Sequence, residues 1–138
     1  MQHDELPNWH YVLDGKTPVQ ATLLEWAAFY QTADRHVGNT KIGRIWISTV
    51  FLGIDHGYDP RQPPVLFETM VFGGGELHET MIRYATWAEA EAGHNDMVEV
   101  VQAMVDRLQR YEALRMHDRY LRFPKPKRAP AWRPSSIL

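Results

Sequence analysis

Arg83-Tyr84-Ala85-Thr86-Trp87 is the stretch of this chain best equipped for chemistry. An arginine and two aromatic residues stand where a strand pattern gives way to a helix pattern. The start of a helix offers free amides and positive dipole character to an anion. Arginine pairs bidentately with phosphate, and an aromatic face stacks a base for roughly 1–3 kcal/mol. Arg35, closing an earlier helix pattern, and Arg107 or Arg110, on a long one, could add charge. The competing account makes Tyr84 and Trp87 core residues, with Trp87 also stapling the helix start.

Other constellations are weaker. Asp55, His56 and Asp59 put three oxygen or nitrogen donors in one loop, but a metal needs ligands that converge in space. The alternative is a turn in which Asp55 bonds backbone amides. Glu91 and His94 have the Glu-x-x-His spacing of di-iron bundles, which require the motif twice plus two more glutamates; an ordinary polar helix face is the better account. Ser48, Ser135 and Ser136 lie in no Gly-x-Ser-x-Gly elbow. Gly73-Gly74-Gly75 lacks the Lys-Ser/Thr of a phosphate loop. A hydrolase or nucleoside triphosphatase is poorly supported, and no cofactor or metal is expected.

The elements that must position these residues centre on Ile42 to Phe72. The run from Ile42 to Ile54 and the run from Val65 to Phe72 read as two long antiparallel strands joined by a Gly/Asp/Pro-rich loop. The first is apolar on both faces, which predicts cover on both sides by helices or another subunit. In the second, Val65, Phe67, Thr69 and Val71 share one face and Leu66, Glu68, Met70 and Phe72 the other. Trp9–Leu13 is a short strand candidate turning at Asp14-Gly15, with Thr17-Pro18 continuing the loop. Thr22 and Glu25 have capping-box spacing and predict a helix from Leu23 to Arg35, ended by Gly38 and Asn39. Glu79–Tyr84 is a third strand. Thr86 and Glu89 form a second capping box ahead of a long helix, about Trp87 to His117. On it Met97, Val101, Met104, Leu108, Tyr111 and Arg115 alternate at four and three residues, a stripe longer than a small sheet needs. Its far end is expected to pack against another subunit.

Length and composition bound the answer. The 138 residues fit one domain. There is no cysteine, which excludes disulfides and thiolate chemistry and fits a cytosolic protein. No run approaches a membrane span, and the polar, acidic N-terminus is no signal peptide. The net charge of −2 hides an asymmetry: residues 119–138 carry six cations and no acid, and the other nine cations and 17 acids leave residues 1–118 at −8. An acidic body is a poor match for a DNA-binding domain, so no DNA is expected. From Phe123 the chain reads as a basic, Pro-rich tail, extended or disordered.

Four phrases carry a family resemblance: Trp26-Ala27 with Ala33-Asp34-Arg35; Ser48-Thr49-Val50-Phe51-Leu52-Gly53-Ile54-Asp55-His56; Phe67-Glu68-Thr69-Met70-Val71-Phe72; and Arg83-Tyr84-x-Thr86-Trp87-x-Glu89-Ala90-x-x-Gly93-His94. Over about residues 10–105 the chain resembles a widespread family of small phage and prophage proteins. It is similar to the first described family of phage anti-Thoeris sponges. The resemblance implies a non-enzyme with a small antiparallel sheet and long C-terminal helices, assembled as dimers or higher oligomers. It implies binding of a cyclic ADP-ribose isomer made by a bacterial TIR enzyme, in the cytoplasm of the infected host, which silences the defence signal. Some members also bind cyclic oligonucleotides at separate sites. The basic tail does not belong to the family pattern.

The expectation is therefore one α+β domain over residues 1–122, with a short N-terminal and a long C-terminal helix, oligomeric, followed by the tail at 123–138. Its function would be sequestration of a cyclic ADP-ribose-type nucleotide without cleavage. On chemical grounds Tyr84 with Arg107 or Arg110 would stack the base, and Arg83, Arg35 and His94 would lie near the phosphates, with Trp87 at the helix start. The rival is a phage accessory or structural module that binds a protein partner through the striped helix and tail. An enzyme acting on nucleotides through His56 or His94 is a third reading.

Overall fold

The structure is a computed structural model that describes residues 8–122. The tail at 123–138 lies outside the described residues. The fold is α+β, with two antiparallel sheets, a short N-terminal helix and a long C-terminal one. The chain divides into two units, residues 1–102 and 103–138.

The first unit opens with a two-stranded ribbon, β1 (Tyr11–Asp14) and β2 (Thr17–Gln20). The turn is Gly15-Lys16, with Gly15 at φ 62°. Thr17 and Pro18, read from the sequence as loop, belong to β2. Proline costs no ladder bond where a strand has a free edge. Helix α1 (Leu23–Thr32) begins at the expected capping box: Glu25 N donates to Thr22 Oγ1 (3.3 Å) and Thr22 N to Glu25 Oε2 (2.8 Å). It stops three residues short of Arg35, because Ala33 already has extended backbone (ψ 139°).

The main sheet has the order β3-β4-β5-β6, antiparallel throughout: β3 (His36–Ile42), β4 (Ile45–Phe51), β5 (Phe67–Phe72) and β6 (Met81–Tyr84). Strand β3 is a correction. The reading from sequence made Gly38 and Asn39 the end of a helix and began the next strand at Ile42. Instead Ile42 ends β3 and opposes Ile45 across the two-residue turn Gly43-Arg44, where Gly43 has φ 59°. Strand β4 is correspondingly shorter than Ile42–Ile54. The β4–β5 pairing and the two faces of β5 stand as the alternation predicts.

Of the cover expected on both faces, by helices or another subunit, this chain's helices supply one side. Ile47, Thr49, Phe51, Phe67, Thr69 and Val71 are fully buried on one face. That face takes both helices: Phe29 of α1 meets Phe51 edge-on, and Trp87 meets Phe67 edge-on. On the opposite face Ser48 is buried, while Trp46, Val50, Glu68, Met70 and Phe72 are only half-buried. Trp46 and Phe72 stack across the strands at 4.9 Å.

Helix α2 (Trp87–Arg122) runs five residues beyond the predicted end. Within the first unit it buries Ala90, His94, Met97 and Val101. The second unit contains its continuation, residues 103–122. There the stripe changes character: Leu108, Tyr111, Leu114 and Leu121 are exposed. Among the described residues no helix is long and apolar enough to cross a membrane.

Candidate functional site

Strand alternation separates the two residues that the sequence sets side by side. Arg83 opposes Glu68 on the half-buried face of the sheet, and its Nε donates to Glu68 Oε2 at 2.9 Å. Tyr84, one residue on, belongs to the packed side. Its ring packs on the Phe51–Leu66–Phe67–Ala90 core. Its buried hydroxyl, pressed against Gly93, finds no hydrogen-bond partner among the described residues. Trp87 packs on the same core with its indole N–H buried and unpaired among the described residues, and the Lys16 ammonium stands 5.5 Å from its ring centre.

The start of α2 is already occupied by its own side chains. Glu89 N donates to Thr86 Oγ1 (3.1 Å), and the Glu89 carboxylate accepts from Ala85 N (3.2 Å). A carboxylate at that position takes the favourable place for negative charge that a bound anion would otherwise fill.

His94 is 6% exposed. Its Nε2 lies 2.8 Å from Thr40 Oγ1 and its Nδ1 2.8 Å from Thr49 Oγ1, which in turn lies 2.6 Å from Thr69 Oγ1. Burial pushes its pKa below the ordinary histidine value. Arg35 lies with its guanidinium carbon 3.8 Å from the Tyr30 ring centre, donating to Tyr30 Oη (2.7 Å) and to the Phe51 carbonyl (3.0 Å). Arg107 and Arg110 belong to the second unit, where both are exposed and Arg110 Nε donates to the Asp106 carbonyl at 3.3 Å.

The loop donors do not converge either. Asp55 Oδ1 accepts from the amides of Gly57 (2.7 Å) and Val65 (2.8 Å), the turn that the sequence offered as the alternative to a ligand. Asp59 takes Arg61 in a two-pronged pair at 2.9 Å. His56 Nδ1 lies 2.8 Å from the Ile54 carbonyl. Among the described residues no three histidines or carboxylates gather as a metal site would need.

What the fold does assemble is a groove of about 390 Å³ beside Arg83, walled by His56, Tyr58, Asp59, Gln62 and Val65. The Asp55 turn shapes one wall and β6 supplies the other. Tyr58 is 97% exposed, so both faces of its ring are free. With Nε committed to Glu68, Arg83 makes no further hydrogen bond among the described residues. Sequence reasoning included Arg83 and missed Tyr58, whose place in a loop of glycine, aspartate and proline carries no periodicity to mark it. A second cationic and aromatic groove, of about 450 Å³, contains Lys41, Arg44, Trp46 and Phe72 at the other end of the sheet; the overlooked strand β3 is what brings Lys41 opposite Trp46.

Site and fold together define an α+β protein with an arginine-and-tyrosine groove at one end of a half-open sheet. Comparison of the chain with known protein families, characterised proteins and solved structures finds no match.

Proposed function

We propose that this chain is a phage-encoded anti-defence protein of the anti-Thoeris sponge type, which binds a cyclic ADP-ribose-type signalling nucleotide and holds it without cleavage. It acts in the cytoplasm of the infected bacterium as a homodimer or higher homo-oligomer. The observation that carries the reading is Arg83: held through Nε by Glu68, with its other nitrogens unbonded among the described residues, in a groove that also offers the Tyr58 ring. The diphosphate suits the guanidinium fork, and the adenine suits the exposed phenol ring. Tyr84, Trp87 and His94 serve this site by holding β6 and α2 in place. Sequestration asks for slow dissociation and no bond breaking.

The test is ligand release. The purified protein is incubated with a TIR-produced cyclic ADP-ribose isomer, freed of unbound ligand and heat-denatured. Intact isomer should be recovered, and Arg83→Ala and Tyr58→Ala should each retain at least ten times less. A cleaved product would make the protein an enzyme; equal retention by both variants would remove the groove from the reading.

The second reading, a phage module that binds a protein partner, is favoured by the exposed Leu108, Tyr111, Leu114 and Leu121 of α2. It predicts no recovered nucleotide from folded protein and loss of the partner on Leu108→Asp.

A further inference from the structure

On the other flank of the β4–β5 connection lies a groove of about 260 Å³ that shares Tyr58 and Gln62 with the Arg83 groove and adds Trp9, Tyr11 and Asp55, which the nucleotide reading does not use. Trp9, Tyr11 and Tyr58 wall it, Pro60 and Pro64 line it, and Asp55 supplies its one formal charge. No lysine or arginine lines it, so it is unsuited to phosphate.

The aromatic wall is fixed in advance. The Trp9 carbonyl accepts from Asp55 N at 3.0 Å. The Asn8 side chain donates to the Ala21 carbonyl (2.7 Å) and accepts from His10 N (3.1 Å). Trp9 is thus anchored through its backbone while the residue stays 44% exposed. Three donors face no partner among the described residues: the Trp9 indole N–H, the Tyr58 hydroxyl and the Gln62 side-chain amide.

Asp55 sets the sign of the ligand. One carboxylate oxygen holds the Gly57 and Val65 amides. No cation pairs with it among the described residues. Its charge is felt at the aromatic wall: Tyr11 has its pKa raised by burial and by the nearby Asp55 carboxylate.

A trough of aromatic rings with free donors matches a polyproline-type strand, which packs flat pyrrolidine rings and leaves its carbonyls without internal hydrogen bonds. An unpaired carboxylate at the rim asks for a lysine or arginine between the prolines. We propose that this groove binds an extended, proline-rich, basic peptide segment. The chain itself contains a sequence of that composition, Pro124-Lys125-Pro126-Lys127-Arg128-Ala129-Pro130-Ala131-Trp132-Arg133-Pro134, and this serves as the probe.

The receptor is the full-length chain with Pro124, Pro126, Pro130 and Pro134 replaced by serine, so that its own copy does not compete. A fluorescent synthetic peptide of residues 123–138 is titrated with it by anisotropy. Saturable binding is expected, at least tenfold weaker for Trp9→Ala and for Asp55→Asn, which keeps the amide-accepting oxygen and removes the charge. A peptide with its four prolines changed to alanine should also bind at least tenfold more weakly. Equal binding of that peptide would reduce the effect to attraction by the acidic body and overturn the proposal, as would equal binding by both receptor variants or no saturable binding. Trp9→Ala, at a residue outside the Arg83 groove, should leave nucleotide retention unchanged, which separates this outcome from that of the Arg83 groove.

Discussion

Nδ1 of His94 and Oγ1 of Thr49 lie 2.8 Å apart, joining α2 to the middle of the main sheet. Thr49 continues to Thr69 and the far ring nitrogen continues to Thr40, so one imidazole bonds hydroxyls on two strands and, through Thr49, reaches a third. A neutral ring suits this: one nitrogen donates and the other accepts.

Stability should therefore fall on acidification. Burial holds the folded pKa of His94 below its ordinary value of 6.5. Between the two values the unfolded chain binds more protons than the folded one, so the unfolding free energy rises with pH there. The contribution is fully present above the unfolded value and is lost as pH falls toward the folded one. Urea unfolding at a series of pH values from 7.5 down to 5 should show this slope, and His94→Gln should flatten it while lowering stability by about 1–3 kcal/mol. An unchanged slope in the variant would assign the effect elsewhere.

Gly38→Ala should destabilise through His94. A Cβ at position 38 would stand 2.5 Å from the imidazole Cγ, an overlap that side-chain rotation alone cannot relieve while both ring nitrogens stay bonded. A loss of about 1–3 kcal/mol is expected. In a His94→Ala background the same substitution should cost less than half as much, as read by a double-mutant cycle in urea.

Tyr84 gives a test of opposite sign. Tyr84→Phe removes a buried hydroxyl that has no partner among the described residues and should leave the midpoint of thermal unfolding unchanged or raise it, by up to about 1 kcal/mol in free energy. Gly93→Ala, a gain of about 1 kcal/mol in an isolated helix, should instead destabilise this one, because the new methyl meets the Tyr84 ring.

Arg83 and Glu68 should prove coupled. The Glu68 side chain is 12% exposed and that of Arg83 31%, so Arg83→Ala leaves a largely buried carboxylate without its cation. A cost of about 1–2 kcal/mol, discounted for the partial exposure, is expected. Glu68→Gln in the same chain should recover at least half of it, as measured by chemical denaturation.

The parts of the fold that sequence reveals are those governed by neighbours in the chain. Thr22 with Glu25, Thr86 with Glu89 and the alternation of Phe67 to Phe72 each follow a local rule, and each element formed where that rule put it, the second capping box with its backbone donor shifted to Ala85 N. Strand β3 was hidden because its sequence, His-Val-Gly-Asn-Thr-Lys-Ile, answers to a distant residue. Gly38 looks like a chain break, yet it is small because His94, 56 positions away, lies against it. The separation of Arg83 from Tyr84 was legible: adjacent residues on a strand face opposite ways. The two-sided apolar pattern of β4 is answered by this chain's own helices on one face only; on the other, Trp46 and Phe72 stack on each other.

The threonine–histidine chain also fixes how α2 is indexed on the sheet. Apolar contacts such as those of Val101 and Met97 tolerate sliding, since one methyl replaces another at little cost. Moving the helix by one residue translates it about 1.5 Å and turns it about 100°. His94 would then point away from Thr40 and Thr49, so the buried imidazole would lose both of its partners and each of these hydroxyls its bond to the ring. Every shifted docking carries that penalty and the observed one does not, so a few polar atoms select one arrangement from a set that packing alone would leave nearly equal in energy.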